Sequence, residues 1–186
     1  MQAPSRVPVT ELHVWQARLD ADGWPPPGGL PSAERDRAAK LRSDAARKRW
    51  VASRWALRRV LGRYLEREPA EIELRFGSRG KPALVAPDAP LHFNLSHSGG
   101  LALIAVGGER EVGIDVQLIG ARAGEFYADW ARREAIAKCH GTGLWAPLPD
   151  APVAVVPLDA GTGFAAAIAV GGHEVPPLRH FVAEPG

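Results

Sequence analysis

The strongest hydrophobic pattern in the chain lies in residues 32–65, where apolar side chains recur at helical spacing. Gly62 is the only Gly or Pro in this stretch, and Ser32 is a suitable N-cap. The pattern therefore predicts one helix, or two helices that divide near Ser43. The predicted buried face consists of Trp50, Leu57, Val60, Leu61 and Tyr64.

Shorter apolar and alternating patterns predict strands on both sides of this region. The predicted strands fall within residues 4–19, 72–76, 91–97, 101–106, 111–117, 153–158 and 164–170. A further helix is predicted over residues 125–140, ended by Gly141, and no element is predicted in the Pro-rich tail. The sequence Ile-Ala-Val-Gly-Gly occurs at residues 104–108 and again at 168–172. This repeat is either a chance match or a trace of two similar α/β halves.

Composition places the 186-residue chain among ordinary globular proteins, since 46% of its residues are hydrophobic and 24% are charged. Its longest apolar runs, residues 101–106 and 164–170, are far shorter than the ~20 residues that cross a bilayer. Cys139 is the single cysteine, which excludes an internal disulfide and a Cys-rich zinc site. Because the N-terminus also lacks a secretory pattern, we expect a cytoplasmic protein with no membrane partner.

Positive charge is concentrated in residues 32–67, which contain twelve Arg or Lys residues and four acidic ones. This segment carries a net charge of +8, whereas the whole chain carries +2. Its cations, Arg54 and Arg58 among them, are predicted to lie largely off the apolar helix face and to meet an anion. Nucleic acid, a phosphorylated cofactor and an acidic protein are the three classes of partner that fit this charge.

Two acidic residues stand where they can act together. Asp115 and Gln117 share one face of the strand predicted over residues 111–117, and Glu134 and Lys138 share one face of the following helix. An acid on a strand and an acid on a helix can hold a hard cation through their oxygens. The alternative is that Glu134 and Lys138 form an ordinary i,i+4 ion pair and Asp115 faces water.

Two polar segments offer groups that bind phosphate. Gly80-Lys81-Pro82 supplies a cation, and Ser96-His97-Ser98 supplies hydroxyls and an imidazole just before the pair Gly99-Gly100. The alternative is a polar turn whose hydroxyls cap their own backbone. The Gly-x-Ser-x-Gly motif of many serine hydrolases is absent.

Five blocks carry a family resemblance when they are taken in order. They are Gly80-Lys81-Pro82, Phe93-Asn94-Leu95-Ser96-His97-Ser98, Val112-Gly113-Ile114-Asp115-Val116, Phe126-Tyr127-x-x-Trp130-x-x-Arg133-Glu134-Ala135-x-x-Lys138 and Gly141-Thr142-Gly143-Leu144. In this order the blocks resemble the Sfp-type branch of the 4'-phosphopantetheinyl transferases, over residues 30–144. The resemblance implies an α+β fold of two similar α/β halves in pseudo-twofold arrangement, residues 1–110 and 111–186, with coenzyme A bound between them.

The resemblance also implies a reaction. Enzymes of this family transfer the 4'-phosphopantetheine arm of coenzyme A to a serine of an acyl or peptidyl carrier protein and release adenosine 3',5'-bisphosphate. They need Mg²⁺, for which the matching positions are Asp115, Glu134 and, less closely, Gln117. By the same match Glu134 is the base that takes the serine proton, and Lys138 stabilises the pyrophosphate. Asp115, Glu134 and Lys138 are thus the expected catalytic residues.

The expected coenzyme A ligands are spread over both halves. Lys81, His97 and Lys138 match positions that hold its phosphates, and Ser96 donates nearby. The basic segment is expected to meet the 3'-phosphate through Arg37 or Arg49. Members of the family that contain both halves in one chain usually act as monomers, so the resemblance implies that this chain is a monomer.

Two departures from the family pattern leave an alternative open. Many relatives carry an acid where this chain has Gln117, and they join the metal strand to the next helix by a segment much longer than residues 118–125. That segment helps the family to receive the carrier protein. The alternative is a relative that binds coenzyme A or a carrier protein without turnover. A nucleic-acid-binding module is a weaker alternative, because it leaves the five blocks unexplained.

Overall fold

The computed structural model of the chain describes residues 10–77, 80–85, 91–144, 146–147 and 149–185. Residues 4–9, which belong to the first predicted strand region, lie outside these ranges. The described helices are α1 (Ser32–Ala39), α2 (Asp44–Leu65) and α3 (Gly124–His140). The described strands are β1 (Leu12–Arg18), β2 (Leu74–Phe76), β3 (Pro82–Leu84), β4 (His92–Ser98), β5 (Leu101–Gly108), β6 (Val112–Leu118), β7 (Val153–Leu158), β8 (Phe164–Gly171) and β9 (Leu178–Val182). None of these helices is both long and apolar enough to cross a membrane.

The predicted helices are confirmed, including the division between α1 and α2. Ser43 is the N-cap of α2, and its hydroxyl accepts a hydrogen bond from the backbone N–H of Ala46 at 3.2 Å. Gly141 ends α3 in the left-handed conformation with φ 70°. The N-cap prediction for Ser32 is wrong, because Ser32 is the first helical residue and Pro31, which lacks a capping side chain, precedes it.

The strands form an α+β fold with two main sheets. The first sheet has the order β4-β5-β1-β9 and the second the order β6-β8-β7, while β2 and β3 form a separate hairpin. α2 buries Ala56, Leu57 and Leu61 in a core with residues of the first sheet, whereas α3 packs on β6, β7 and β8 through small side chains such as Ala131 and Ala135. Each sheet is therefore covered by its own helix.

The two sheets are built to the same topological plan. Apart from the β2–β3 hairpin and β9, each sheet is built from a strand, a helical region and two further strands in chain order, and the resulting strand orders β4-β5-β1 and β7-β8-β6 correspond. The repeated sequence at residues 104–108 begins in β5, and its copy at 168–172 begins in β8, which is the corresponding central strand. Both copies of the repeat therefore lie in strands at corresponding places of the two strand orders. The pseudo-twofold relation between the units stays a prediction.

The tail contains a strand that the sequence pattern did not predict. β9 pairs in parallel with β1, so that Phe181 lies beside Trp15, and their rings stack at a centroid distance of 4.8 Å. This contact buries an aromatic side chain of the tail against the first sheet, which favours a strand there. The division at residues 110 and 111 stays a prediction, and β9 lies after that division but within the sheet of the first half.

Two arginines of α2 correct the prediction that the cations of this segment lie off the buried face of the helix. Arg54 and Arg58 are buried, with 8% and 1% of their surfaces exposed. Arg58 donates through Nε to Glu34 Oε2 at 2.9 Å and through Nη1 to the carbonyl oxygen of Ile72 at 2.7 Å. Burial is tolerated because α1 folds onto α2 and supplies the buried carboxylate of Glu34, which the helical period of α2 cannot reveal.

Candidate active site at the junction of the two sheets

The two sheets meet through edge strands that are joined by side chains. Three polar side chains of β4 accept hydrogen bonds from alternate backbone N–H groups of β6: Asn94 Oδ1 from Ile114 at 2.9 Å, Ser96 Oγ from Val116 at 3.3 Å and Ser98 Oγ from Leu118 at 2.9 Å. The spacing of two residues follows from the alternation of side chains along a strand. The alternative that the two serine hydroxyls cap their own turn is therefore wrong. They satisfy the edge of the neighbouring sheet instead.

Asp115 lies at the centre of the candidate site. Its carboxylate is buried in β6, and Oδ1 accepts hydrogen bonds from Lys138 Nζ at 2.6 Å and from Ser96 Oγ at 2.8 Å. Oδ2 accepts a hydrogen bond from Gln117 Nε2 at 2.6 Å. The alternative in which Asp115 faces water is wrong, because its carboxylate is held by groups from β4, β6 and α3.

Close packing of α3 on β6 brings Lys138 to the strand. Gly113 lies under the helix, and a Cβ at this position would overlap with the carbonyl oxygen of Ala135 and the backbone nitrogen of Cys139. Because glycine has no side chain, α3 can approach the strand closely. The Lys138 ammonium then reaches Asp115, and it also donates to Ser96 Oγ at 3.1 Å. The predicted strand face that Asp115 and Gln117 share is confirmed, and it lies toward α3.

Glu134 lies one turn before Lys138 on α3 and is half-buried. Burial raises the pKa of its carboxyl above the usual value, and the negative charge of Asp115 adds to this rise, while the Lys138 ammonium opposes it. Because the charge of Asp115 raises the pKa of Glu134, the two carboxylates lie close enough to interact electrostatically. A carboxylate with a raised pKa is a better proton acceptor near neutral pH than an ordinary one.

A cleft of about 490 Å³ opens beside this cluster. Its lining is formed by residues of the β2–β3 hairpin, β4, α2, α3 and the segment after α3. The lining residues are Arg54, Gly80, Lys81, Pro82, Asn94, Leu95, Ser96, His97, Glu134, Lys138, Gly141, Thr142, Gly143 and Leu144. Four of the five sequence blocks thus contribute to one cleft, and the fifth, in β6, holds Asp115 against Lys138 beside it.

Lys81 and His97 also line the cleft. Lys81 Nζ donates to the carbonyl oxygen of Lys138 at 2.7 Å in the last turn of α3, and it lies 3.4 Å from Glu111 Oε2. The His97 side chain is open to solvent within the cleft. Partial desolvation lowers its pKa, and the positive charges of Arg54 and Lys138 lower it further. The cleft wall is therefore electropositive. Coenzyme A binding by Lys81, Ser96 and His97 stays a prediction.

The arginines expected at the 3'-phosphate lie outside the cleft lining. Arg49 forms a bidentate pair with Asp20, with Nε and Nη2 at 2.7 and 2.8 Å from the two carboxylate oxygens. Arg37 is exposed on α1. Contact of Arg37 or Arg49 with a ligand stays a prediction, and in the described residues the arginine that lines the cleft is Arg54.

Comparison with known proteins identifies the family. A family model described as 4'-phosphopantetheinyl transferase, N-terminal, matches residues 28–109. The 4'-phosphopantetheinyl transferase AcpT of Escherichia coli is 34% identical over 143 residues, which cover 62% of this chain and 68% of the relative. The chain belongs to the 4'-phosphopantetheinyl transferase family.

Other relatives in the family are longer than this chain. The 4'-phosphopantetheinyl transferase HetI of a Nostoc species is 38% identical over 122 residues, which cover 59% of this chain and 48% of the relative. A phosphopantetheinyl transferase of a Thraustochytrium species is 34% identical over 118 residues, which cover 59% of this chain and 40% of the relative. The chain thus spans about half or less of the length of these two relatives.

The family implies Mg²⁺, and the residues around Asp115 fit such an ion chemically. Among the described residues there is no group of three or more His, Cys, Asp or Glu side chains arranged to hold a metal ion. The candidate set is instead two carboxylates, Asp115 and Glu134, and the amide of Gln117. A carboxylate has about four acceptor positions, of which Asp115 uses two on Oδ1 and one on Oδ2. One acceptor position on Oδ2 is left for a hard cation, and Mg²⁺ accepts water as its remaining ligands.

Sequence reasoning missed the roles of Arg54 and Asn94 in this region. Asn94 and Ser98 flank Ser96 at intervals of two, and this period was the available signal for the side chains that join β4 to β6. Arg54 carried no separate signal, because it stood among many cations of one segment. Its position in the cleft depends on how α2 packs against β4.

Proposed function

We propose that this protein transfers the 4'-phosphopantetheine arm of coenzyme A to a serine of a carrier protein and releases adenosine 3',5'-bisphosphate. The observation that carries the proposal is the cluster of Asp115, Lys138 and Ser96, with Glu134 one helical turn away, beside an electropositive cleft in a chain of this family. Two acids, a lysine and a cleft lined by further cations together suit phosphoryl transfer, in which positioning and charge stabilisation provide most of the catalysis.

The proposed reaction begins with a proton transfer to Glu134. As the carrier serine oxygen forms its bond to the phosphorus that bears the pantetheine arm, the Glu134 carboxylate takes the hydroxyl proton. The bond between this phosphorus and the bridging oxygen breaks, and the oxygen leaves with the electron pair on adenosine 3',5'-bisphosphate. The Lys138 ammonium, held by Asp115 and Ser96, stabilises the negative charge that develops there.

Three side chains would hold Mg²⁺ in this proposal: Asp115, Glu134 and, through its amide oxygen, Gln117. When it is bound, the ion neutralises the charge of the pyrophosphate. Ser96 fixes Asp115 from the opposite half, so that the carboxylate keeps one orientation. We further propose that the two α/β units are related by a pseudo-twofold rotation and that one chain is sufficient as a cytoplasmic monomer.

Mass spectrometry of carrier proteins tests the proposal directly. The protein is incubated with coenzyme A, Mg²⁺ and a set of apo carrier proteins, and we expect at least one carrier to gain the mass of phosphopantetheine. The isosteric variants Asp115→Asn and Glu134→Gln should lose nearly all of this transfer, because each removes one negative charge and little volume. A protein that binds coenzyme A but loads none of the carriers would support the alternative of a relative without turnover.

A further inference from the structure

Glu111 lies immediately before β6, and its carboxylate contacts two residues outside the second sheet. Oε1 is 3.1 Å from His92 Nδ1 at the start of β4, and Oε2 accepts a hydrogen bond at 3.4 Å from Lys81 Nζ, just before β3. The backbone of Glu111 is fixed by the second sheet and its helix. Its carbonyl oxygen accepts hydrogen bonds from the Gly171 N–H at 2.9 Å and from Cys139 Sγ at 3.4 Å. Glu111 therefore connects β4 and the β2–β3 hairpin to β6, β8 and α3.

This connection extends the series of side chains that join β4 to β6. Asn94, Ser96 and Ser98 accept hydrogen bonds from N–H groups of β6. His92 precedes Asn94 by two residues, and side chains at this spacing lie on one face of a strand. His92 therefore points toward β6 as the other three do, and it meets the Glu111 carboxylate there. A contact between two side chains thus takes the place of a hydrogen bond to the backbone at this end of the junction.

The Lys81 ammonium is held by two acceptors of the second sheet and its helix. It donates to the Lys138 carbonyl oxygen at 2.7 Å, in the last turn of α3, as well as to Glu111 Oε2. The last carbonyl groups of a helix carry partial negative charge and attract a cation. An ammonium has three N–H donors, so one donor of Lys81 is left for a ligand. The side chain is 27% exposed and lines the cleft, where a ligand can reach it.

We propose that Glu111 is a positioning residue, which holds Lys81 and the β2–β3 hairpin at the cleft in the orientation that binds an anionic ligand. This inference rests on the proposed function, in which coenzyme A is the anion. Glu111 has two opposing effects on such a ligand, because its negative charge repels the anion while its contacts restrict the motion of Lys81. Its side chain is 53% exposed, so water screens the repulsion over the distance to a ligand. The contacts with Lys81 and His92 are direct, and their effect is therefore the larger one.

Calorimetric titration with coenzyme A compares two substitutions of Glu111. Glu111→Ala removes both contacts and the charge, whereas Glu111→Asp keeps the charge on a side chain that is too short to reach Lys81 and His92 together. We expect each variant to bind coenzyme A about two- to fivefold more weakly than the wild type, which is the range of a partly exposed ion pair. Glu109→Ala is the matched control, since Glu109 is exposed in the preceding turn and has no ion pair among the described residues. It should keep the wild-type affinity.

A second titration series shows whether Glu111 acts through Lys81. Lys81→Met should itself weaken coenzyme A binding, and the addition of Glu111→Ala should cause no further loss, because the side chain that Glu111 positions is gone. The inference is overturned by unchanged or tighter binding in Glu111→Ala, by wild-type affinity in Glu111→Asp or Lys81→Met, or by equal weakening with and without Lys81. These outcomes leave the proposed function in place, since carrier loading by the wild type tests it. A wild type that binds no coenzyme A overturns both.

Discussion

Alanine substitutions of Ser96 and Ser98 test whether Ser96 organises the candidate site or only joins the two sheets, as Ser98 does. The Ser96 hydroxyl contacts Asp115 at 2.8 Å, Lys138 at 3.1 Å and the Val116 N–H at 3.3 Å, and Ser96 is 7% exposed. Ser98 lies on the same face of β4 and makes the equivalent contact with the Leu118 N–H at 2.9 Å. It makes no contact with Asp115 or Lys138, so Ser98→Ala is a matched control.

The structure gives different expected magnitudes for the two variants. Ser96→Ala removes a hydrogen bond to a charged group, which contributes about 1.5–3 kcal/mol, and leaves the buried Val116 N–H without its acceptor. Asp115 keeps Lys138 and Gln117 as partners, so we expect a total loss of about 2–4 kcal/mol in the free energy of unfolding. Ser98→Ala removes one neutral hydrogen bond at the exposed end of β4, and about 0.5–1.5 kcal/mol should be lost.

Kinetics then show what Ser96 does in the site. With a carrier protein that the wild type loads, we expect Ser96→Ala to lower kcat by about tenfold or more, because Asp115 and Lys138 lose a shared partner that fixes their geometry. Ser98→Ala should keep the wild-type kcat. A change confined to the KM for coenzyme A would instead identify Ser96 as a direct ligand. Equal kcat values for the two variants at a temperature where both are folded would refute the positioning role.

Three further predictions concern other contacts of the same structure. Gly113→Ala should push α3 away from β6 and lower the thermal midpoint by more than Ser96→Ala does, because the new methyl group would overlap with helix backbone. Gln117→Glu replaces the amide that donates to Asp115 Oδ2 at 2.6 Å by a second carboxylate. Added Mg²⁺ should therefore raise the thermal midpoint of this variant more than that of the wild type. Burial lowers the pKa of His13 in the folded protein. As the pH falls through about 6.5, the unfolded chain is therefore protonated at His13 before the folded protein is. Stability should then decrease toward lower pH, and a urea titration series should show a shallower decrease in His13→Gln.

Periodicity predicted the helices because each has a local pattern and a local end signal. The division before α2 and the end of α3 follow from Ser43 and Gly141, whose capping needs no distant partner. β9 had no such signal. Its strand conformation depends on Phe181 packing against Trp15, which is far away in the sequence.

The same distinction applies to the site. Alternation along β6 and the helical period of α3 predicted which faces carry Asp115 and Lys138, and the structure brings these faces together. The hydrogen bond from Ser96 depends on the contact between the two sheets, which no local pattern encodes. Burial of Arg58 likewise depends on Glu34 from another helix, so the local pattern placed Arg58 off the buried face of α2.

The junction also explains how residues of both sheets come together in the candidate site. α2 and the β2–β3 hairpin supply the cations Arg54 and Lys81 to the cleft, and α3 supplies Glu134, while Asp115 of β6 lies beside it. β6 is an edge strand whose N–H groups would otherwise be open, and β4 satisfies them with side chains rather than with a continuous sheet. Because a side-chain junction leaves the two backbones apart, a cleft can form beside it. A ligand with an anion at each end can then bridge the two halves, and its binding should stabilise their contact as well as the local fold.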